Sequence, residues 1–336
     1  MRQPSHRSKP ADTMENAFFS NVVSVVIPCY NQAEFLGDAI ESVMAQTCAR
    51  SDVVVVDDGS TDRSADVAAR YSGVRCLSQT NKGAGAARNA GLKHVFGEFV
   101  VFLDADDRLL PHAFEAGLRC FGAHPECALV AGRCVKIGRD GARQHTRHDP
   151  VVERDHYLRL LTANYIFTPA TVMLRAAVIR RIGGFKTRVW GSEDYDLYLR
   201  IARHYRIWCH DQVVAEYRQH ETNISRRSIL MMRSTITVMR GQRAFVRGDL
   251  RAQQARREGV RHLQNTYGER AIDAARRHFR AREWRAAIAH LARLIQYYPT
   301  GVVRHTYRKL SRIALGHKPE TLAPPPDASR SESCGN

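Results

Sequence analysis

The chain has 336 residues, enough for one large domain or two ordinary ones. Its 44% hydrophobic and 25% charged residues are typical of a folded soluble protein. No apolar run approaches the roughly 18–20 residues that cross a bilayer, and no secretory signal opens the sequence. The composition therefore argues against a membrane-spanning protein and predicts a soluble, intracellular one.

The charge is strongly basic: 51 Lys and Arg face 34 Asp and Glu, which gives a net charge of +17. Such an excess favours an anionic partner, whether nucleic acid, a membrane surface or a phosphorylated substrate. The eight cysteines form no Cys-x-x-Cys pair, so we expect free thiols rather than disulfides or zinc ligands.

The first hundred residues alternate between strand and helix patterns. Residues 1–20 lack hydrophobic periodicity and are predicted to be a flexible tail. The predicted strands are Ser24–Ile27, Val53–Val56, Val74–Leu77 and Phe99–Leu103, and the predicted helices are Gln32–Gln46, Ser64–Tyr71 and Ala84–Phe96. This alternation predicts βαβ units and a mainly parallel sheet. The continuous apolar runs indicate strands that are covered on both faces.

The rest of the chain is less regular and then wholly helical. The predicted elements are a helix over Pro111–Phe121, a strand over Ala128–Ala131, a loop over Gly138–Pro150, an extended segment over Ala170–Leu174, and helices over Ala176–Ile182 and Glu193–His204. From Ser228 to about Ala314 the pattern is helical, with a hairpin at Ala281–Glu283. We predict an α/β domain over residues 21–225, a basic helical region over 226–315 and a disordered tail over 316–336.

Polar residues follow three of the predicted strands directly. They are Pro28–Asn31 after the first strand, Asp57–Asp62 after the second and Asp104–Asp107 after the fourth. Each segment alone is an ordinary turn or helix cap. Their repetition favours a ligand site, because ligands of open parallel sheets bind beyond the carboxyl ends of the strands.

The Asp104–Asp107 segment carries three carboxylates within four positions. Such carboxylates repel one another unless a positive charge lies between them. A divalent cation that prefers oxygen ligands would compensate, and it would keep coordination sites for phosphates. The segment therefore predicts a metal site.

Two further segments allow either a structural or a functional interpretation. Residues 81–89 are rich in Gly and Ala, so the backbone can approach an anion at the start of the following helix, with Lys82 and Arg88 adding charge. Residues 191–196 hold Glu193 and Asp194 at a helix start. Acids there are either dipole partners or a general base for a hydroxyl nucleophile.

Five segments together resemble the family 2 glycosyltransferases with the GT-A fold. They are "SVVIPCYNQ", "VVVVDDGSTD", "NKGAGAARNAG", "FLDADD" and "GSEDYDLYLRIA", and the resemblance covers roughly Val22–Ser225. It implies an α/β, Rossmann-like sheet flanked by helices. It also implies transfer of a sugar from a nucleotide diphosphate donor, UDP by default, to a glycan or lipid-linked acceptor with Mg²⁺ or Mn²⁺.

The resemblance also assigns the donor-binding residues. Asp58 matches the acid that accepts a hydrogen bond from the nucleotide base, Tyr30 the aromatic that stacks on it, and Pro28 shapes the same loop. Arg88 resembles a donor-side contact. The full set of donor-binding positions is Pro28, Tyr30, Asp57, Asp58, Lys82, Gly83, Arg88, Asp104 and Ala105.

Metal and catalytic roles follow from the same resemblance. Asp104 and Asp106 match the Asp-x-Asp pair that contacts the ribose and holds the cation, with Asp107 as a rival ligand. Asp194 aligns with the catalytic base, and Glu193 is its neighbour. His220 lies where some relatives place a metal- or phosphate-contacting histidine, and a structural surface histidine is the alternative.

The charges imply the mechanism and limit the alternatives. A base that takes the acceptor proton during attack gives a single displacement with inversion. A sugar nucleotidyltransferase would show a Gly-rich basic loop after the first strand, where this chain has "PCYNQAEFLG". A non-enzymatic binder of nucleic acid or another anionic polymer would leave the acidic segments unexplained.

The basic helical region and the acceptor complete the sequence-based expectations. Arginine density without a membrane span predicts that the region docks on the inner face of the cell membrane, so that the protein is cytoplasmic and peripheral. Processive members of the family usually carry membrane helices and a Gln-x-x-Arg-Trp segment. Neither is found in the sequence, which predicts the transfer of one or a few sugars, in cell-surface polysaccharide or glycoconjugate synthesis.

Overall fold

The computed structural model describes residues 22–48, 50–148 and 150–314. The tails predicted over 1–20 and 316–336 lie outside them. The strands are β1 (Val22–Cys29), β2 (Arg50–Asp57), β3 (Val74–Ser78), β4 (Phe99–Phe102), β5 (Arg108–Leu109), β6 (Cys127–Ile137), β7 (Arg143–Gln144), β8 (Val172–Arg175) and β9 (Arg206–Arg218).

Helices lie between these strands and make up the whole C-terminal part of the described chain. They are α1 (Leu36–Met44), α2 (Ser64–Ala68), α3 (Ala84–Leu92), α4 (Ala113–Ala123), α5 (His156–Thr162), α6 (Ala176–Ile182), α7 (Glu193–Ala202), α8 (Ser228–Gly241), α9 (Leu250–Arg280), α10 (Trp284–Tyr297) and α11 (Pro299–Ala314). Two short 3₁₀ turns cover Pro169–Thr171 and Ile224–Arg226.

The strands form one mixed sheet in the order β3-β2-β1-β4-β8-β6-β9-β5, with β7 paired to β6. Strands β1 to β4 are mutually parallel, as the sequence pattern predicts. Strand β8 runs antiparallel between β4 and β6, whereas β6 and β9 are parallel. All four parallel strands of the first half therefore end at the same edge of the sheet.

Both faces of the sheet are covered, because its strands are apolar at successive positions. In β2, Val53 and Val55 pack on one face with Ile40 of α1. Val54 and Val56 pack on the other face, in the cluster that includes Leu197 of α7. The continuous apolar runs of the sequence therefore predicted correctly that both faces of the sheet are covered.

Strand β9 and helix α5 are the longest elements that were not predicted, and their sequences explain why. Strand β9 spans 13 residues, but its exposed positions are polar and its register with β6 shifts at bulges, so no clean alternation is visible. Helix α5 has seven residues, too few for a clear period. The predicted Gly138–Pro150 loop contains the two-residue strand β7, and the predicted strand over Ala128–Ala131 extends over 11 residues as β6.

The chain divides into two compact units after Arg270, within α9. The predicted hairpin is confirmed in the second unit, where α9 ends at Arg280 and α10 begins at Trp284. The boundary placed near residue 225 stays a prediction. Across the described residues, the helices lack the combination of length and apolar character that spanning a bilayer requires.

Candidate active site

The loops that follow β1 and β2 are tied together at the shared strand edge. The backbone N–H of Asp58 donates to the Cys29 carbonyl oxygen at 2.8 Å. The Asn31 N–H donates to Ser60 Oγ at 3.0 Å, and Asn31 Oδ1 accepts from the Thr61 N–H at 2.8 Å. The segments that the sequence singles out after these two strands therefore form one surface.

Asp58 is buried, and its carboxylate organises the loop before α3. Oδ1 accepts from Gln79 Nε2 at 2.6 Å and from the Lys82 N–H at 2.9 Å, while Oδ2 accepts from the Gly83 N–H at 2.7 Å. A carboxylate offers about four lone-pair positions, so one remains for a ligand. The predicted role of Asp58 toward a nucleotide base stays a prediction.

The other predicted residues of these loops have distinct environments. Tyr30 is about half exposed just beyond β1, whereas Pro28 is buried within the strand. Asp57 is buried and accepts from the Ser60 N–H at 2.9 Å, which closes the turn after β2. The Lys82 side chain is exposed. Tyr30 and Lys82 are thus open to a ligand, while Pro28 and Asp57 support the loop.

The start of α3 lies against the segment before α7. Gly83 has φ +87° and ψ 161°, a conformation open essentially to glycine alone, and a Cβ there would lie 3.4 Å from Trp190 Nε1. A Cβ on Gly85 would lie 3.0 Å from Glu193 Cγ. Residues 81–89 and residues 191–196, which are far apart in sequence, therefore meet here.

Arg88 of α3 lies among the carboxylates of this edge. Its Nη2 donates to Asp104 Oδ1 at 2.6 Å, and its guanidinium lies 5.4 Å from the Phe185 ring centroid. Burial alone would lower the pKa of Arg88, but Asp104 and Glu193 outweigh it and hold that pKa above its usual range. The buried Nε atom of Arg88 has no hydrogen-bond acceptor among the described residues, so its N–H group is an unpaired donor.

Asp194 and Glu193 start α7 beside Arg88. Burial raises the pKa of Asp194 to about 6, although the Arg88 charge acts to lower it. Burial also raises the pKa of Glu193, whose Oε2 accepts from the Gly191 N–H at 2.9 Å. Glu193 is almost fully buried, whereas Asp194 keeps accessible surface. Of the two, Asp194 is the less buried residue.

A second group of side chains surrounds Asp106. His220 Nε2 lies 2.8 Å from Asp106 Oδ2, and Asn223 Nδ2 lies 3.4 Å from the same oxygen. His220 Nδ1 is 2.8 Å from Thr222 Oγ1, and the imidazole is 5.2 Å from the Phe35 ring. His220 is buried. The histidine is therefore not at the surface, and its contact with a metal or phosphate stays a prediction.

Asp107 and Ala105 are structural neighbours of this group. Asp107 is fully buried, and it accepts from Thr168 Oγ1 and the Arg218 N–H, each at 2.9 Å. Burial, followed by the nearby Asp106 charge, raises the pKa of Asp107 well above its usual range. Ala105 is buried as well. Asp106, unlike Asp107, thus keeps accessible surface at this edge.

Arg218, at the end of β9, was not singled out from the sequence. Its fully buried guanidinium donates to the Asp106 carbonyl oxygen at 2.9 Å, to the Arg139 carbonyl oxygen at 2.9 Å and to Asp38 Oδ2 at 2.7 Å. It thereby fixes the backbone of the Asp104–Asp107 segment. The only available signal was its place two residues before His220. Trp190, four residues before Asp194, was missed in the same way.

The donor atoms near Asp106 fit a cation that is shared with a ligand. Within the described part of the chain, no three His, Cys, Asp or Glu side chains are arranged as a complete metal site. Asp106 and His220 nevertheless bring an oxygen and a nitrogen together, and one Asp104 oxygen is held by Arg88. Mg²⁺ is commonly bound by one or two carboxylates together with substrate phosphates. The residues present fit that kind of site.

The sheet is mostly parallel, and its strand ends gather acids, a cationic side chain and a glycine-started helix, which is the arrangement expected of a GT-A fold. The family model "Glycosyl transferase family 2" matches residues 24–183. The match covers just under half of the chain, and it confirms the family resemblance seen in the sequence.

Known proteins agree with this assignment. An uncharacterized glycosyltransferase of Nostoc sp. is 43% identical over 182 residues, which are 51% of this chain and 56% of that protein, so the match spans little more than half of it. S. aureus TarS 1–349 in complex with UDP-GlcNAc has a TM-score of 0.58 at 19% identity, covering 82% of this chain and 81% of that one. Mannosyltransferase PcManGT from Pyrobaculum calidifontis, in complex with GDP-Man and Mn²⁺, has a TM-score of 0.56 at 23% identity, with 88% and 86% covered. At these identities the two structures show the shared fold.

Proposed function

We propose that this glycosyltransferase moves a sugar from a nucleotide diphosphate donor to an acceptor hydroxyl, with inversion at the anomeric carbon. One observation carries the proposal: Arg88 donates a hydrogen bond to the Asp104 carboxylate and is close enough to Glu193 and Asp194 for their charges to raise its pKa. A donor diphosphate and an attacking hydroxyl would meet there.

The donor side is supported by groups that favour an anion. Helix α3 turns its N-terminal N–H groups toward this edge, and Arg88 Nε is a buried donor with no acceptor among the described residues. TarS and PcManGT were solved with UDP-GlcNAc and GDP-Man, which supports a nucleotide sugar. UDP is the default nucleotide in this proposal. The donor screen described below identifies the sugar.

Asp106 and His220 are the residues that would hold Mg²⁺ or Mn²⁺, with Asp104 beside them. When bound, the cation supplies positive charge that offsets the charge developing on the leaving diphosphate. The Mn²⁺ in the PcManGT complex supports this choice. The hydrogen bond from Arg218 to the Asp106 carbonyl oxygen holds the segment in place without occupying either carboxylate.

Asp194 acts as the general base in this proposal. Its carboxylate accepts the acceptor proton while the acceptor oxygen attacks the anomeric carbon from the face opposite the diphosphate. Glu193 is held by the Gly191 N–H and is nearly buried, which makes it a poor covalent nucleophile. One displacement without a covalent intermediate inverts the configuration.

The acceptor is proposed to be a glycan or a lipid-linked glycan, in cell-surface polysaccharide or glycoconjugate synthesis, and the setting the cytoplasm. The seven cysteines of the described chain are free thiols, which suits a reducing compartment. Transfer of one or a few sugars is expected, as the sequence pattern predicts.

A donor screen tests the proposal. The purified chain is given UDP-, GDP- and dTDP-sugars with Mn²⁺, with Mg²⁺ or with EDTA, and release of the nucleoside diphosphate is measured. We expect release from one donor class and only with a cation. Asp194→Asn should lower turnover by about 10²–10⁴-fold, with unchanged affinity for the nucleoside diphosphate.

The matched control for this substitution is Asp66→Asn, which removes an exposed carboxylate on α2. It should leave turnover unchanged. Equal turnover in the two variants would show that Asp194 is not the base. Release of pyrophosphate in place of nucleoside diphosphate would refute the reaction itself.

A further inference from the structure

Helix α10 in the second unit carries a stripe of large apolar side chains that are open to solvent. Trp284, Ile288, Leu291 and Ile295 are between 47% and 67% exposed. They follow one another at intervals of four, three and four residues. At about 100° per residue they lie within an arc of about 60° on the helix surface. We call these four residues the α10 stripe.

The α10 stripe is not the face through which the helix packs in its own unit. The buried residues of α10 are Ala287 and Leu294. On the same helical projection they lie beside the stripe rather than within it. Among the described residues, the helix thus has one buried face and, next to it, an apolar face that is largely open to solvent.

Neighbouring helices of the unit carry further exposed apolar residues, one of which contacts the stripe. Phe279, near the end of α9, meets Trp284 edge to face with ring centroids 5.0 Å apart. Phe279 is 61% exposed, and Val303 and Tyr307, one turn apart on α11, are 68% and 71% exposed. Single exposed apolar residues are ordinary, but a set of this size marks an interaction surface.

The same unit is strongly basic. Residues 271–314 contain ten Lys and Arg and only two Asp and Glu, a difference of +8. Arg285 and Arg293 are exposed on α10 itself, outside the arc of the stripe. An amphipathic helix with large apolar residues on one face and arginines on the others is the pattern of helices that lie in a membrane interface.

We propose that the α10 stripe lies in the headgroup region of an anionic phospholipid bilayer, with the arginines of the second unit against the lipid phosphates. The positive charge of the second unit favours a lipid partner over a second copy of the chain. A dimer would bring two positively charged surfaces together, and these would repel each other. An anionic bilayer complements both the apolar stripe and its basic surroundings. This docking does not depend on the proposed sugar transfer.

Vesicle co-sedimentation of the full chain tests the proposal. The vesicles are phosphatidylcholine alone, or phosphatidylcholine mixed with phosphatidylglycerol. We expect strong binding to the mixed vesicles, weak binding to the neutral ones, and weaker binding in about 1 M salt, where the Debye length falls to about 3 Å. Ile288→Ser with Leu291→Ser should weaken binding to mixed vesicles at least about tenfold.

Leu250→Ser is the matched control, because Leu250 is a highly exposed leucine in the first unit. It should bind vesicles like the unchanged chain, and all variants should hydrolyse donor in solution at the same rate. Equal recovery with neutral and anionic vesicles, or full binding by the double variant, would overturn the proposal. So would a dimer in sedimentation velocity that the double variant loses while vesicle binding is absent, since the stripe would then be a self-association surface.

Discussion

The environment of Asp194 sets its protonation, and the opposing effects can be separated. Burial disfavours the carboxylate form, and the neighbouring Glu193 acts in the same direction, while the Arg88 charge opposes both. The result is a pKa of about 6. An acid with such a pKa is deprotonated at neutral pH and still basic enough to take a proton from a hydroxyl in the transition state.

The pH dependence of transfer should report this pKa. Only the carboxylate form of Asp194 accepts a proton, so kcat should fall about tenfold per pH unit below about pH 6 and level off above it. The measurement is kcat at saturating donor and acceptor across this range. A plateau that persists down to about pH 4, the ordinary range of an aspartate, would contradict the assignment.

Stability gives a second readout of the same group. A carboxyl whose pKa is raised in the folded state stabilises the fold below its unfolded pKa, and this contribution is lost as pH rises through about 6. Asp194→Asn should therefore raise the Tm relative to the unchanged chain at about pH 8 and have little effect at about pH 4. Asp66→Asn serves again as the control.

At the level of residues, the sequence identified the candidate acids but not their individual environments. The run Asp104–Asp107 offered three carboxylates, and only burial shows that Asp107 is held by Thr168 and the Arg218 N–H. Arg218 itself looked like one of many arginines. Its role depends on contacts with residues more than 75 positions away, which no local pattern reveals.

Among the elements, the start of α3 fixes the conformation of the segment around Lys82 and Gly83. The Asp58 carboxylate holds the Lys82 and Gly83 N–H groups, and Gly83 takes a conformation that leads the chain directly into the helix. The helix therefore begins at the strand edge, with its positive end toward the site.

Gly83→Ala should disturb this arrangement. An L residue at φ +87° is strained by about 1–3 kcal/mol, whereas the new Cβ itself would make only an ordinary contact with Trp190. We expect a lower free energy of unfolding by that amount and weaker nucleotide binding, measured by urea titration and calorimetry. Gly122→Ala is the control, because Gly122 lies inside α4 with nothing near the added Cβ, and alanine there should stabilise by about 0.5–1 kcal/mol. Equal behaviour of both variants would show that Gly83 is not constrained.

The sequence predicted the buried strands correctly and missed a strand that is only partly buried. Strands covered on both faces, such as β2, were found because their sequences are continuously apolar. Strand β9 was missed because it contacts the core only in part, and its pairing with β6 compensates for a sequence without strong alternation. Tertiary pairing overrides local propensity in such strands.

For the whole molecule, the site draws on residues from Tyr30 to His220, so ligand binding should be coupled to the stability of the entire α/β unit. UDP at about a hundredfold over its Kd should add about 2.7 kcal/mol to the free energy of unfolding. In a unit of this size that corresponds to a Tm rise of about 5–10 °C. The measurement is a thermal melt with UDP and Mn²⁺ together.

The cation should be required for most of this shift. Asp106 and His220 are only two ligands, so Mn²⁺ alone should bind weakly, and UDP in EDTA should stabilise much less than UDP with Mn²⁺. Asp106→Asn should reduce the difference between the two conditions. An equal Tm rise in EDTA would show that nucleotide binding does not use the cation.

By itself, the sequence determined the class of fold, the positions of the acidic loops and the family. These depend on local periods and on motifs that hold within a few residues, such as apolar runs followed by Asp58 or Asp104. Tertiary structure decided which acids are buried, the burial of His220 beside Asp106, and the approach of Arg88 to Asp104 and to the charges of Glu193 and Asp194. The reason is physical: burial and the distance between charges set hydrogen bonding and pKa, and both arise only when segments distant in sequence pack together.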